Sequence, residues 1–254
     1  MNTVILLVIS ILNSTPVQES VEDIIRKVDI RAQPANLSGI LKLSYFNAQG
    51  IELEVRELYY RRKRQDENKE SVLIKITKPD ELKNSAFLSI NENKNSRNFF
   101  FLPELGIATE IKNSRLNSSF MNSDFYFSDL KSWNLEENNN RLIKATNEHY
   151  VIESIFNKAW YKQRMIISVR KDSFIIERIE FFNNKCELPI RILEVQEIQK
   201  IDQMLLMKRI KMTSFRECSS EITSSSEINY INPDIKTPLA AEIFTKRQLT
   251  LLEF

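Results

Sequence analysis

RNFFFLPELGIATEIKNSRLNSSFMNSDFYFSDL, residues 97–130, begins as a strand through Phe99, Phe100, Phe101 and Leu102 and halts at Pro103. It then passes through a polar bend into Phe120, Met121, Phe125, Phe127 and Leu130, threaded with Ser123, Asp124 and Asp129. So many large apolar side chains beside loop-forming residues predict a long connection folded over an apolar surface. Such a connection either plugs an ordinary core or lids a binding site, and its own residues leave both readings open.

Outward from this stretch the apolar period is two. Leu37 to Phe46 alternates at Leu41, Leu43 and Tyr45, Gln49-Gly50 turns, and Ile51, Leu53, Val55, Glu57 and Tyr59 share one face of the next strand. Strands are expected at 71–77, 85–90 and 99–102. After the long connection they are expected at 141–145, 150–156, 163–169, 174–182, 188–195, 204–215 and 221–231. Before them, Glu19 to Ala32 places Val21, Ile24, Ile25 and Val28 at helical spacing, with Pro34 as the stop. A short helix within 238–249 ends the chain. About ten strands with a leading helix predict a mainly β fold, a curved antiparallel sheet forming an incomplete barrel, with an N-terminal helix and a short helical plug or lid.

The 254 residues fit one all-β domain, and 42% apolar against 28% charged residues argues against global disorder. Only 3 glycines are present, so turns needing positive φ must use asparagine or aspartate, as at 138–140 and 183–184. With 36 basic and 34 acidic residues, the net charge of +2 provides no field for gathering nucleic acid. The basic run Arg61 to Arg64, followed at once by Asp66, Glu67 and Glu70, reads as a solvated hairpin tip.

Val4 to Leu12 is apolar apart from Ser10. Nine helical residues rise only about 14 Å, short of a ~30 Å hydrocarbon core, so residues 1–18 read as a secretory signal segment and 19–254 as one domain. Export would permit a disulfide between the two cysteines, Cys186 and Cys218. A turn at about Lys200 would set Cys186 opposite residue 215, close enough for a strand-end bridge without requiring one.

Chemistry is harder to find. The single histidine, His149, and two distant cysteines do not make a zinc set, and no glycine-rich phosphate loop or nucleophile elbow is present, so neither metal nor cofactor is expected. Asp124 and Asp129 could form a hydrolytic acid pair. Their more economical task, shared with Ser123, is capping turns by accepting amide hydrogens, worth about 1 kcal/mol each.

Phe101-Leu102-Pro103 is similar to an L-Y-L-P strand end, and Ser119 to Leu130 is similar to an S-F-M-G-S-D-F-S-Y-E-D-L run; on these motifs the chain resembles the LolA-like family of outer membrane lipoprotein-sorting proteins. Lys78-Pro79 with Ala86-Phe87-Leu88, Val169 to Asp172 with Glu180-Phe181-Phe182, and Glu242 to Leu249 resemble three further family stretches in the same order. Three departures stand out: the basic segment after L-P is here Glu104 to Glu110, Asn122 replaces a glycine, and Ser219 to Ser226 is unusually polar for a barrel strand.

The resemblance implies a periplasmic, monomeric, non-catalytic carrier of lipid or lipoprotein acyl chains. An inner-membrane transporter would be its donor and an outer-membrane protein its acceptor. Its cavity or lid would draw on Phe99, Phe101, Phe120, Met121, Phe125 and Phe127 with the strand residues Leu43, Leu53, Val55, Ile167 and Ile192. Which alternate face points inward is left open, since a one-residue slip reverses every assignment. The competing expectation is a non-enzymatic envelope assembly or interaction protein with a filled core. A continuous apolar cavity above ~300 Å³ separates the two.

Overall fold

The computed structural model describes residues 19–251 apart from 32, 67, 68, 93, 94, 131–134, 159, 160 and 184. The expected signal segment, 1–18, lies outside the described residues. Helix α1, Val21–Ile30, starts at Ser20, whose Oγ accepts the Asp23 amide, and buries Ile24, Ile25 and Val28 as their spacing requires. Six strands follow: β1 (Asn36–Asn47), β2 (Glu52–Asp66), β3 (Lys69–Lys78), β4 (Ala86–Glu92), β5 (Asn95–Leu102) and β6 (Ile107–Glu110). The second series is β7 (Asn139–Ala145), β8 (His149–Lys158), β9 (Tyr161–Arg170), β10 (Ile176–Phe182), β11 (Arg191–Ile201), β12 (Met204–Phe215) and β13 (Ile222–Asp234), and α2 (Lys246–Leu249) ends the fold.

Among the described residues, 13 strands form one antiparallel sheet ordered β6-β5-β4-β3-β2-β1-β13-β12-β11-β10-β9-β8-β7. Two meanders thus meet where β1 pairs β13, and β6 and β7 are left as the open edges. At that seam Gly39 sits beside a bulge with φ +155°, where a Cβ would lie 3.3 Å from the carbonyl oxygens of Ile231 and Asn232. Laid flat, 13 strands would hold the edges roughly 58 Å apart. The sheet is instead curved: Leu58, Ile74 and Phe87 of the first meander join Ile152, Ile167, Leu193 and Met212 of the second in one inner cluster.

Between the two edge strands the chain has to return across the sheet, and its described residues, 111–130 and 135–138, do so over the concave face. That route explains its composition, because Leu116, Phe120, Phe125, Phe127 and Leu135 are all buried in the inner cluster. The plug was foreseen, whereas β6 was not, and thirteen strands stand where about ten were expected.

A second apolar cluster lies on the convex side. Residues 239–249 strap across β3 to β6 there, packing Phe244 and Leu249 on Leu73, Leu88, Phe99 and Phe101. Lys63 Nζ donates to the Leu239 carbonyl, and the buried Lys75 Nζ donates to the Leu251 carbonyl at 2.7 Å. Burial, and then Arg61, lower the Lys75 pKa.

The β11–β12 turn is formed by Asp202 and Gln203 between the paired Ile201 and Met204, later than the expected position at about Lys200. The shifted register carries the strand ends into line, and Cys186 is bonded to Cys218 with Cα atoms 5.2 Å apart. Closing a loop of separation 32 restricts the unfolded chain, so reduction, or the C186S/C218S variant, is expected to cost about 2–4 kcal/mol. Chemical denaturation with and without reductant measures it.

Candidate functional site

Under the plug lies a partly open cavity of about 490 Å³. Its apolar wall is built by Leu37 and Leu41 of β1, Ile74 of β3, Met165 of β9, Phe181 of β10, Leu193 of β11 and Ile228 of β13. Leu116, Phe125, Leu130 and Leu135 of the plug and Val28 of α1 complete it. Alternation supplies these groups, since each strand offers every second side chain to the concave face. Tyr60 and Tyr230 meet edge to face at 5.5 Å in the same wall, and burial pushes both phenols up. Polar residues, among them Arg31, Arg62, Arg64, Glu70, Glu136 and Glu137, also line the space.

The expected cavity residues divide three ways. Phe125 lines the cavity. Phe120, Phe127, Leu43 and Ile167 are buried on the same inner face, and Met121 packs against them. There Phe120 and Phe127 meet Phe87 and each other edge to face or tilted, at centroid distances of 5.4–6.2 Å.

Phe99 and Phe101 face outward beneath the C-terminal strap, and it is Phe100 that meets Phe127 inside, at 5.7 Å. Leu53 and Val55 are exposed, because β2 turns Arg56, Leu58 and Tyr60 inward. Ile192 likewise lies opposite the inward Arg191 and Leu193. For Phe99 and Phe101 the cause is that both faces of β4 and β5 are covered, so their sequence is apolar at successive positions and cannot declare an inside; for Leu53, Val55 and Ile192 it is that alternation alone does not say which of two faces meets the concave side.

A polar network fixes the plug over the cavity. The plug doubles back on itself between Phe120, whose amide donates to the Phe125 carbonyl at 2.7 Å, and a bend in which Met121 and Asn122 have φ of 53° and 62°. Asn122 therefore serves where the resembling family has glycine. The Met121 carbonyl accepts from Arg56 Nη1 at 2.8 Å and from the Tyr45 hydroxyl at 3.1 Å. Burial raises the Tyr45 pKa and keeps its hydroxyl protonated.

Ser123 closes its local turn by donating to the Phe120 carbonyl at 2.6 Å. Asp124 does something other than cap a turn. Its carboxylate accepts from the Ser224 and Ser226 hydroxyls at 2.6 and 2.7 Å, and its amide donates to Ser226 Oγ at 3.0 Å. The polar serines of β13 thus have a partner. Asp129 is a cap, accepting the Tyr126 amide at 2.7 Å, and it also accepts from Arg191 Nη1 at 2.6 Å.

Arg191 was missed at the sequence level. It is buried, donates to the Asp124 carbonyl at 3.1 Å, and lies 3.4 Å from the Tyr126 ring centroid and 4.6 Å from that of Phe181. Its signal was a lone arginine in phase with the apolar Leu193 and Val195 on one face of β11, opposite two buried aspartates in need of partners. Those two carboxylates hold the plug to the sheet and are not set up as a hydrolytic pair. His149 pairs with Glu177 at 2.6 Å, apart from the residues that line the cavity.

The basic run also differs from expectation. Arg61 to Arg64 lie inside β2 rather than at a solvated tip, and Arg62 and Arg64 share the inward face of Tyr60. Among the described residues, no helix is long and apolar enough to cross a membrane.

No curated protein matches the sequence. Solved structures do match. A protein domain from Vibrio parahaemolyticus, provisionally described as outer membrane lipoprotein-sorting, superposes with a TM-score of 0.80 at 19% identity, covering 91% of this chain and 98% of that one. A DUF1329 family protein from Desulfovibrio piger gives 0.78 at 20% identity, covering 90% and 97%. A LolA superfamily protein from Nitrosomonas europaea gives 0.67 at 17%, covering 91% and 100%. A family model carrying the description "-like: Uncharacterized protein" matches residues 68–251. The curved open sheet, its crossing plug and these matches agree: the chain belongs to the family whose model spans 68–251, and its fold is that of the LolA-like lipoprotein-sorting proteins.

Proposed function

We propose that this protein is an exported carrier of the double-membrane envelope, holding the acyl chains of a lipid or lipoprotein in its apolar cavity for transfer toward the outer membrane, without acting on them chemically. The observation that carries this reading is the cavity of about 490 Å³ under the plug, within the ~300–1,000 Å³ range of ligand pockets and walled by Leu, Ile, Met and Phe side chains. A filled core, as an assembly factor would have, needs no such volume. The names of the Vibrio and Nitrosomonas proteins support the same direction. Residues 1–18 would direct export, and a membrane transporter and an outer-membrane acceptor would be the partners.

Native mass spectrometry of the purified protein is expected to show a co-extracted lipid, and the delipidated protein should take up a fluorescent fatty acid. Replacing the half-buried cavity residue Ile210 by tryptophan fills part of the volume and should lower uptake at least tenfold while the fold is kept. A protein that emerges ligand-free and takes up no acyl probe contradicts the carrier reading.

A further inference from the structure

The inward face of β2 changes character over four alternate positions. Leu58 and Tyr60 are buried in the inner cluster, whereas Arg62 and Arg64, next on the same face, line the cavity together with Arg31 from the end of α1. Three guanidinium groups therefore border a space that Leu, Ile, Met and Phe side chains also line. Their hydrogen bonds go mainly to neutral groups. Arg31 Nη1 donates to the Leu205 carbonyl at 3.3 Å, Arg62 to Gln33 Oε1 at 3.2 Å and the Pro34 carbonyl at 3.3 Å, and Arg64 Nη2 to the Asp29 carbonyl at 3.2 Å. Among the described residues, the buried Arg62 Nε has no acceptor.

Carboxylates are also present. Glu70 lies across from Arg64 in the β2–β3 register, Glu136 and Glu137 are exposed at the rim, and Asp29 contributes from α1. This arrangement leaves Arg31 and Arg62 as the cations facing the cavity with neutral partners. Burial, followed by Arg62 and Arg64, lowers the Arg31 pKa to about 10, which places the three cations within electrostatic reach of one another. Glu70 lies beside Arg64, so the repulsion that a bound anion would offset falls chiefly on Arg31 and Arg62, whose hydrogen bonds go to neutral groups.

We infer that Arg31, Arg62 and Arg64 receive a phosphate-bearing headgroup, so that the cargo is an anionic phospholipid whose acyl chains enter the apolar part of the cavity. A guanidinium presents forked N–H donors suited to phosphate oxygens, and a tetrahedral phosphate can be reached at once from the helix end and from the strand. The inference rests on the carrier reading and names its substrate class.

The test is displacement of a fluorescent acyl probe from the full-length protein at low ionic strength by three competitors: dioctanoyl phosphatidylglycerol, uncharged dioctanoyl glycerol and inorganic phosphate. The charged lipid is expected to displace at a concentration at least tenfold lower than the uncharged one. Arg31→Gln should cut that preference to below threefold, weakening the charged lipid more than dioctanoyl glycerol, and Arg62→Lys should retain most of it.

Equal displacement by the two lipids would overturn the headgroup assignment while leaving the carrier reading intact. So would an Arg31→Gln variant that weakens both lipids alike, since that is a structural effect. If millimolar inorganic phosphate abolishes the preference for the charged lipid, the site takes free phosphate and the lipid assignment fails. Absence of probe binding with all competitors overturns the carrier reading itself.

Discussion

Replacing Arg191 by alanine is expected to lower stability by about 3–5 kcal/mol, the cost of leaving a buried charge without its partner. Side-chain exposures of the Arg191–Asp129 pair are 3% and 2%, so water cannot solvate the abandoned carboxylate. The change also removes the bond to the Asp124 carbonyl and the cation that lies on Tyr126 and Phe181. Because one partner is on the plug and the other on β11, the loss falls on the plug's attachment to the sheet. Urea denaturation measures the total. A second substitution, Asp129→Leu, distinguishes mechanisms: it should recover part of the loss in Arg191→Ala, since the pair removed together leaves no unpaired charge. A double variant no more stable than the single one would mean that lost packing, not the orphaned charge, sets the cost.

Phe120→Ala should be comparably damaging, about 3–5 kcal/mol, and for a different reason. Phe120 is 2% exposed and its ring meets Phe87 at 6.2 Å and Phe127 at 5.5 Å, so truncation leaves a void where the plug presses on β4. For a chain of this size each kcal/mol moves the melting temperature by roughly 2–4 °C, so a thermal melt should show a fall on the order of 10 °C. Phe120→Leu, keeping most of the volume, should lose less than half as much. Equal losses in the two variants would locate the contribution in ring geometry instead of volume.

Much of the architecture was legible beforehand. Residues 37–60 announce a hairpin because alternation has no other stable use, and α1 is declared by Val21, Ile24, Ile25 and Val28. The plug was legible too: Phe120, Phe125 and Phe127 beside turn residues cannot belong to a solvated loop. The positions 53, 55, 99, 101 and 192 lie off the concave face, which their sequence does not declare. Alternation shows that two faces differ but not which one meets the concave side, and under the C-terminal strap both faces are apolar. The arginines of β2 were hidden differently. Four consecutive basic residues look the same in a turn and in a strand that sends two of them inward.

The sequence by itself determined the element types, the antiparallel meander, the leading helix and the apolar crossing segment, because each follows from local periodicity and turn chemistry. Tertiary structure alone decided that β1 pairs β13, that the plug runs from one open edge to the other, and that Arg191 meets Asp129 across 62 residues of chain. It also decided the cavity. An empty volume is what remains when sheet curvature and plug path are both fixed, and no local pattern of side chains encodes that difference.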